Sequence, residues 1–252
     1  MSPRVRTAII PPAHPPHSVG VPVNIHHWDD ISFLHWPFDP ADVTPLLPEE
    51  VDVLTLEGKA WVGVTPFFIR VRPPGSPVVP PGWSFPETNV RTYVAGPDGR
   101  QGLWFLHMEV PARWFVAVLR SVGLPYVRRQ MTVDAAEAIS YRSEAGGSGE
   151  GGHDIRVRPG AALDPPAGGE RERFLTAWWG AYHRRASALL FTPVDHPSWP
   201  LHAADLEACE VDGLFSAVGL PVPTGPPVVH YSPGVRVRVG RPQLVQRVRS
   251  AP

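Results

Sequence analysis

Thirty-three prolines and 23 glycines are spread along 252 residues and leave few stretches in which a long helix can run. Proline removes a backbone donor and clashes with the turn before it, whereas both residues suit tight turns. Many strands joined by turns are therefore favoured over a helical bundle, in an all-β or α+β chain. Hydrophobic residues make up 43% of the sequence, enough to bury a sizeable core in one large domain or two small ones. The formal charge of −1 lacks the basic excess that a nucleic-acid partner demands. No run of about 18 apolar residues exists to cross a bilayer as a helix. The lone cysteine, Cys209, excludes an intrachain disulfide, and the opening "MSPRVRTAIIPPAHPPHSVG" is too interrupted by proline for a signal peptide. A cytoplasmic protein with neither nucleic acid nor membrane as partner is the expectation.

Residues 1–20, with Pro11, Pro12, Pro15 and Pro16, are expected to form a flexible arm whose His14 and His17 are solvated. From Asn24 onward apolar residues become dense. "ISFLHWPF" predicts a buried strand, and Asp39 before Pro40 predicts an N-capped short helix that stops near Pro48. In "VDVLTLEGKAWVGV" the pair Glu57-Gly58 marks a hairpin turn, which puts Lys59, the only lysine, at a loop tip. "VPARWFVAVLRSVG" predicts a helix ended by Gly123. "AISYRSE" and "HDIRVRPG" predict strands flanking a flexible tip, "AGGSGEGG". A helix is expected from Glu170 to Leu190, then one or two short helices between Ala203 and Val218 that carry Cys209 as a small buried hydrophobe. The final strands are "PVVHYSP" and "VRVRVG". The pairs Arg70/Arg72, Arg156/Arg158 and Arg236/Arg238 fit strands that turn valine inward and arginine outward.

The stretch "SFPETNVRTYV", Ser84 to Val94, alternates with period two. Glu87, Asn89, Arg91 and Tyr93 fall on one face, and Thr88, Val90, Thr92 and Val94 on the other. If the first face is wet, it is ordinary surface; if it points into a cavity, it supplies a binding site with its own acid and its own cation. No dinucleotide fingerprint, phosphate loop, zinc-protease or serine-hydrolase motif occurs. Adjacent pairs such as His26-His27 are poor shared metal ligands, because neighbours on a strand point apart. No cofactor and no metal are expected. The remaining candidates are polar groups embedded in aromatic sequence: His35 beside Trp36, the Glu87–Tyr93 row, His107 after "LWFL", Tyr126, and His196 with Trp199.

"FLHWPFDPADVTPLLPEEVDVLTLEGKAWVGVTPFFIRV", "SFPETNVRTYV", "GLWFLHMEVPARWFVAVLRSVGLPYVRRQM" and "VDHPSWPLHAADL" together resemble the YqjF-like family of uncharacterised bacterial proteins, over roughly residues 24–240. More remotely the chain is similar to the acetoacetate decarboxylase superfamily, whose fold is a β-barrel or cone with flanking strands and helices around a ligand cavity. The resemblance implies an α+β, mainly β chain with an arm over residues 1–20, a single barrel domain over 21–245 and a tail over 246–252. It also implies that the Glu87 row faces the cavity. Glu87 falls where the decarboxylases carry a pocket glutamate. Trp28 or its neighbours fall near their substrate-binding arginine and Val64 near a second glutamate, and neither group is reproduced. Their Schiff-base lysine follows a Tyr-Pro pair just after a helix; the matching stretch here, Leu124 to Arg129, holds no lysine. Lys59 cannot replace it from a hydrated hairpin tip, since imine chemistry needs an amine desolvated or placed beside another cation.

Three functional readings stay open. In the first, a lyase-type enzyme takes a small oxo- or carboxylate-bearing substrate into the barrel without an imine. Arg91 pairs with its anionic group, Glu87 transfers a proton, and Tyr126 assists as donor. Asn89, Tyr93, Trp104, His107, Arg129 and His35 complete the binding residues. In the second, the same pocket holds a small metabolite without turnover. In the third, Glu87 and Arg91 form a buried ion pair that sets the strand register. A small-molecule ligand is the expected partner, and a homo-oligomer is compatible with all three.

Overall fold

The computed structural model describes residues 4–147, 150–165 and 167–247. Part of the expected tail, from residue 248 onward, lies outside the described residues, as do residues 1–3 of the arm and 148–149 of the glycine-rich tip. The first half of the chain contributes β1 (Val5–Thr7), β2 (Asn24–Phe38), β3 (Asp52–Leu56), β4 (Lys59–Arg72), β5 (Ser84–Ala95), β6 (Gln101–Val110) and β7 (Tyr126–Arg128). The second half adds β8 (Met131–Ala135), β9 (Ile139–Ser143), β10 (His153–Ala162), β11 (Gly180–Arg185), β12 (Ala188–Asp195), β13 (His202–Glu210), β14 (Val228–Val239) and β15 (Gln243–Arg247). Helices are short: α1 (Pro40–Val43), α2 (Arg113–Ser121), α3 (Glu170–Thr176) and α4 (Asp212–Ala217). The chain is mainly β, as its proline content requires.

Seven strands close a ring. β12, β11, β6, β5, β4, β2 and β14 pair in that order, and β14 returns to β12 through Val194–Val239 and Asp195–Arg238. Closure removes the free edges that an open sheet would present. From β14 the sheet continues outward as β13, β10, β9 and β8. This extension folds over the outer face of β5, where Thr88 Oγ1 meets His153 Nε2 at 3.1 Å. The strand Ser84–Ala95 is therefore buried on both faces: Thr88, Val90, Thr92 and Val94 as well as Glu87, Asn89, Arg91 and Tyr93 are all buried, Arg91 being the most exposed at 6%.

Local chemistry sets several of these elements as expected. Asp39 caps α1 by accepting from the Ala41 N–H at 2.8 Å, with Pro40 in the first helical position. Glu57 and Gly58 turn β3 into β4 with φ of 55° and 74°, leaving Lys59 exposed. The arginine pairs point away from the core, where Arg70 meets Asp29, both Arg156 and Arg158 meet Glu207, and Arg238 donates to the Val19 and Gly20 carbonyls.

Other expectations are corrected. The helix expected over Glu170–Leu190 stops at Thr176, and the rest forms the β11–β12 hairpin, turned at Ala186 with φ 49°. Cross-strand pairing against β6 and β14 outweighs the helical spacing of its apolar residues. The segment His202–Glu210, alanine- and acid-rich enough to suggest a helix, is strand β13, with Cys209 opposite Ile155. Only α4 remains helical there. "PVVHYSP" and "VRVRVG" are one strand, β14, bent at Gly234, whose φ of 122° and close approach to the Trp28 carbonyl admit no side chain. The proline-rich arm is held against the ring: β1 pairs in parallel with β3, Val19 is 5% exposed, and Trp179 Nε1 donates to the Pro12 carbonyl at 3.1 Å. Two residues of the glycine-rich tip are likewise pinned, since the Gly151 N–H donates to the Gly213 carbonyl and the Gly152 N–H to Glu109 Oε1.

Gly123 joins this frame to the site, because it turns α2 into the segment that carries Tyr126. It has φ 92°, and a Cβ there would lie 1.9 Å from the Arg184 carbonyl oxygen. Gly123→Ala is therefore expected to cost more than about 2 kcal/mol, about 1–2 of it from the left-handed backbone and the rest from the clash with the Arg184 carbonyl. Calorimetry should show the melting temperature falling by about 4 °C or more.

Candidate functional site

All seven ring strands contribute to one interior pocket of about 310 Å³. β5 provides Glu87, Asn89 and Arg91. Facing them are Trp28 of β2, Phe67 of β4, Phe105 and Met108 of β6, His183 of β11 and Thr192 of β12. Phe115 and Leu119 of α2, with Leu124 and Tyr126, cover one side.

Glu87 is 3% exposed and bonded to Tyr126, whose hydroxyl donates to both carboxyl oxygens at 3.2 Å. Burial disfavours the carboxylate and pushes the carboxyl up to about 8, with the hydrogen bonds from Tyr126 and Asn89 opposing. Glu87 is accordingly a neutral acid at pH 7. The same burial, together with the acid beside it, pushes the Tyr126 phenol up as well.

Arg91 lies four residues along the same face, 6% exposed, with its guanidinium 5.4 Å from the Phe33 ring centre. Its Nε and Nη2 meet no acceptor among the described residues, and no carboxylate lies within salt-bridge distance of it. Burial lowers its proton affinity, yet arginine stays charged in proteins. The ion pair expected between Glu87 and Arg91 as a register device does not form: the acid is bonded to Tyr126, and the guanidinium meets no carboxylate among the described residues, only the Phe33 ring and the neighbouring Tyr93. Asn89 Oδ1, between them, is also without a partner among the described residues.

A neutral imidazole completes the group. His196 lines the pocket and packs against Trp28, Trp179 and Trp199 at ring separations of 6.1, 4.6 and 4.9 Å. Its Nδ1 donates to the Pro197 carbonyl at 2.7 Å, which leaves the Nε2 lone pair free. Burial lowers its pKa to about 4.

The structure thus brings together Glu87, Asn89, Arg91 and Tyr126 and places the other candidates elsewhere. Tyr93 closes the far end of the row, but its hydroxyl donates to the Leu175 carbonyl at 2.6 Å and its ring stacks on Trp178. His35 is wholly buried between Phe33 and Tyr93, against Gly63, whose missing Cβ makes room for the imidazole. Trp104 and His107 turn outward. In β6 the register shifts between Val90–His107 and Arg91–Phe105, so Leu106 is an extra residue. Before this bulge Leu103 and Phe105 face the pocket and Trp104 the outer core; after it Met108 faces in and His107 out.

His107 and Arg129 instead serve a second buried acid, Glu109. Its Oε1 accepts from His107 Nε2 and the Gly152 N–H, both at 3.1 Å, its Oε2 accepts from Ser143 at 2.5 Å, and Arg129 Nε stands 3.7 Å away. Burial pushes the Glu109 carboxyl up, but hydrogen bonds from His107, His153 and Ser143 outweigh it and hold the carboxyl well below the usual range. This cluster fastens the outer sheet to the ring.

Two pocket histidines escape sequence reasoning. His183 falls in the segment expected to be helical. His26 and His27 are poor partners for one metal, yet strand alternation sends one of the two inward; it is His26, whose Nδ1 accepts from Trp28 Nε1 at 3.3 Å.

The fold is shared with solved acetoacetate-decarboxylase-like proteins. The structure of an acetoacetate-decarboxylase-like enzyme from Sphingomonas wittichii RW1 matches 92% of this chain and 97% of its own at a TM-score of 0.62 and 15% identity. Enduracididine biosynthesis enzyme MppR, complexed with pyruvate, matches 90% and 92% at 0.64 and 15%. The acetoacetate decarboxylase of Legionella pneumophila matches 92% of each chain at 0.60 and 14%. Residues 26–236 match the family DUF2071, uncharacterized conserved proteins, and the chain belongs to that family. Among its relatives is the uncharacterized protein YqjF of Bacillus subtilis strain 168, 29% identical over 216 residues that span 84% of this chain and 88% of YqjF. No helix among the described residues is long and apolar enough to cross a membrane.

Proposed function

We propose that this protein is a lyase-type acid–base enzyme acting on an oxo carboxylate without a Schiff-base lysine. The observation that carries this reading is the presence, on one strand face, of a buried acid held largely protonated and a buried guanidinium with no carboxylate partner among the described residues. Arg91 offers two N–H groups to the substrate carboxylate in the forked geometry that carboxylates favour. Glu87, assisted by Tyr126, then points its acidic proton at the neighbouring carbonyl oxygen. His196 has a free lone pair and can receive the proton from the adjoining carbon. Transfer of that proton to His196 and of the Glu87 proton to oxygen yields the enol, with the C–H electron pair becoming the new C=C bond. An acid and a base displaced in opposite senses by the same apolar pocket suit this division of labour. Lys59, the only lysine, stands exposed at the β3–β4 turn and has no access to it. That MppR has been captured with pyruvate, an oxo carboxylate, supports the ligand class.

Deuterium exchange tests the reading. A 2-oxo acid incubated with the protein in D₂O should lose its C3 protons, followed by NMR, at a rate that Glu87→Gln lowers by about 100-fold or more while binding persists. Exchange unchanged in Glu87→Gln removes Glu87 from the chemistry. Binding without exchange in the parent protein favours the second reading, a non-catalytic metabolite-binding protein, for which the aromatic walls of the pocket speak.

A further inference from the structure

The charged and acidic groups of the pocket are confined to three successive inward positions of β5. Arg91 and Glu87 stand four residues apart on β5, about 13 Å at the rise of a strand, so the long Arg91 side chain has to reach along the wall for its guanidinium and Glu87 to share one oxo carboxylate. Most of the rest of the lining is apolar, with Phe67, Ile69, Phe105, Met108, Phe115 and Leu119 prominent, and its remaining polar groups, among them His26, His183 and His196, are uncharged side chains. A volume of 310 Å³ equals about ten water-sized groups at roughly 30 Å³ each, and covalently bonded atoms pack more closely than water. Pyruvate or acetoacetate would leave much of it, and most of the aromatic wall, unused.

The register gives the pocket a second end. Glu87 lies opposite Phe67 on β4, and His26 lies opposite Val71, four residues further along. At the rise of a strand this is about 13 Å. There His26 Nε2 and Asn24 Oδ1, both in the pocket lining, have no partner among the described residues. A short acid anchored at Arg91 does not reach them.

We infer that the pocket selects an extended oxo carboxylate bearing a bulky apolar or aryl group, and that three- and four-carbon oxo acids are poor ligands. This rests on the reading of Arg91 as the carboxylate anchor.

Thermal-shift titrations with pyruvate, 4-methyl-2-oxopentanoate, phenylpyruvate and phenylacetone separate the two claims, each run on the parent protein and on Arg91→Met. Affinity should rise by roughly fourfold for each buried methylene equivalent, placing phenylpyruvate at least about 50-fold above pyruvate, with phenylacetone weak for want of a carboxylate. Pyruvate binding as tightly as phenylpyruvate, in an Arg91-dependent manner, overturns the size selection and leaves the anchor standing. Phenylacetone binding as well as phenylpyruvate and indifferent to Arg91, or none of the acids binding at millimolar concentration, overturns the anchor itself.

Discussion

Arg91→Met is expected to make the protein more stable and, by the same change, to abolish carboxylate binding. Arg91 is a charge taken out of water with two of its nitrogens unmatched by any acceptor among the described residues. An ion buried in this way costs several kcal/mol, and replacing buried ionic groups by apolar side chains of similar volume commonly gains about 1–4 kcal/mol. Methionine keeps the length and flexibility needed to fill the space beside Phe33 and Phe105. For a domain of this size each kcal/mol raises the melting temperature by roughly 2–4 °C. Affinity for an oxo carboxylate should meanwhile fall by about 100-fold or more, because the ligand's anion would be buried without a partner. Stability that is sacrificed at a position where binding is gained marks a functional residue rather than a scaffold residue. A melting temperature lowered by Arg91→Met would show that the guanidinium supports the fold, and the anchor role would be lost with it.

The second large effect is a stability maximum between about pH 6 and 7, falling on both sides. On the alkaline side the cause is Glu87. Its carboxyl ionises near 4.5 in the unfolded chain but near 8 in the fold, so its contribution is complete below pH 4.5 and declines as pH rises toward 8. The difference corresponds to about 5 kcal/mol. On the acid side His26, His183 and His196 act in the opposite sense. Each is lowered by burial from 6.5 to about 4, so its contribution is complete above pH 6.5 and is lost as pH falls through 4, at roughly 3 kcal/mol each. Denaturant midpoints measured from pH 4 to 9 should trace this curve, and Glu87→Gln should flatten only its alkaline limb. An alkaline decline that persists in Glu87→Gln would mean that the carboxyl is already ionised at neutral pH.

Much of the frame was legible in the sequence because it rests on local chemistry. Proline frequency, the Asp39-Pro40 cap and the Glu57-Gly58 turn each act over a few residues. The period-two pattern of Ser84–Val94 located the key strand, but alternation defines two faces without saying which is wet. Here neither is, since the ring interior takes one and the β8–β10 extension the other. Resemblance to the decarboxylase superfamily, and not periodicity, pointed Glu87, Asn89 and Arg91 inward. The errors came from non-local effects. A single extra residue at Leu106 reverses the facing of His107, which no sequence pattern announces. The stretch from Trp178 to Leu190 has apolar spacing compatible with a helix and is drawn into strands by partners far along the chain, which is why His183 escaped notice. Tyr93 was placed on the correct face, but its hydroxyl is claimed by the Leu175 carbonyl 82 residues away.

The most direct test of the central claim is a crystal structure of the protein soaked with phenylpyruvate. The ligand should lie inside the strand ring, its carboxylate within about 3 Å of the Arg91 guanidinium, its oxo oxygen near Glu87 and Tyr126, and its ring among Phe67, Phe105 and Phe115. A ligand bound only outside the ring, or one seated inside with its carboxylate turned away from Arg91, would contradict the account.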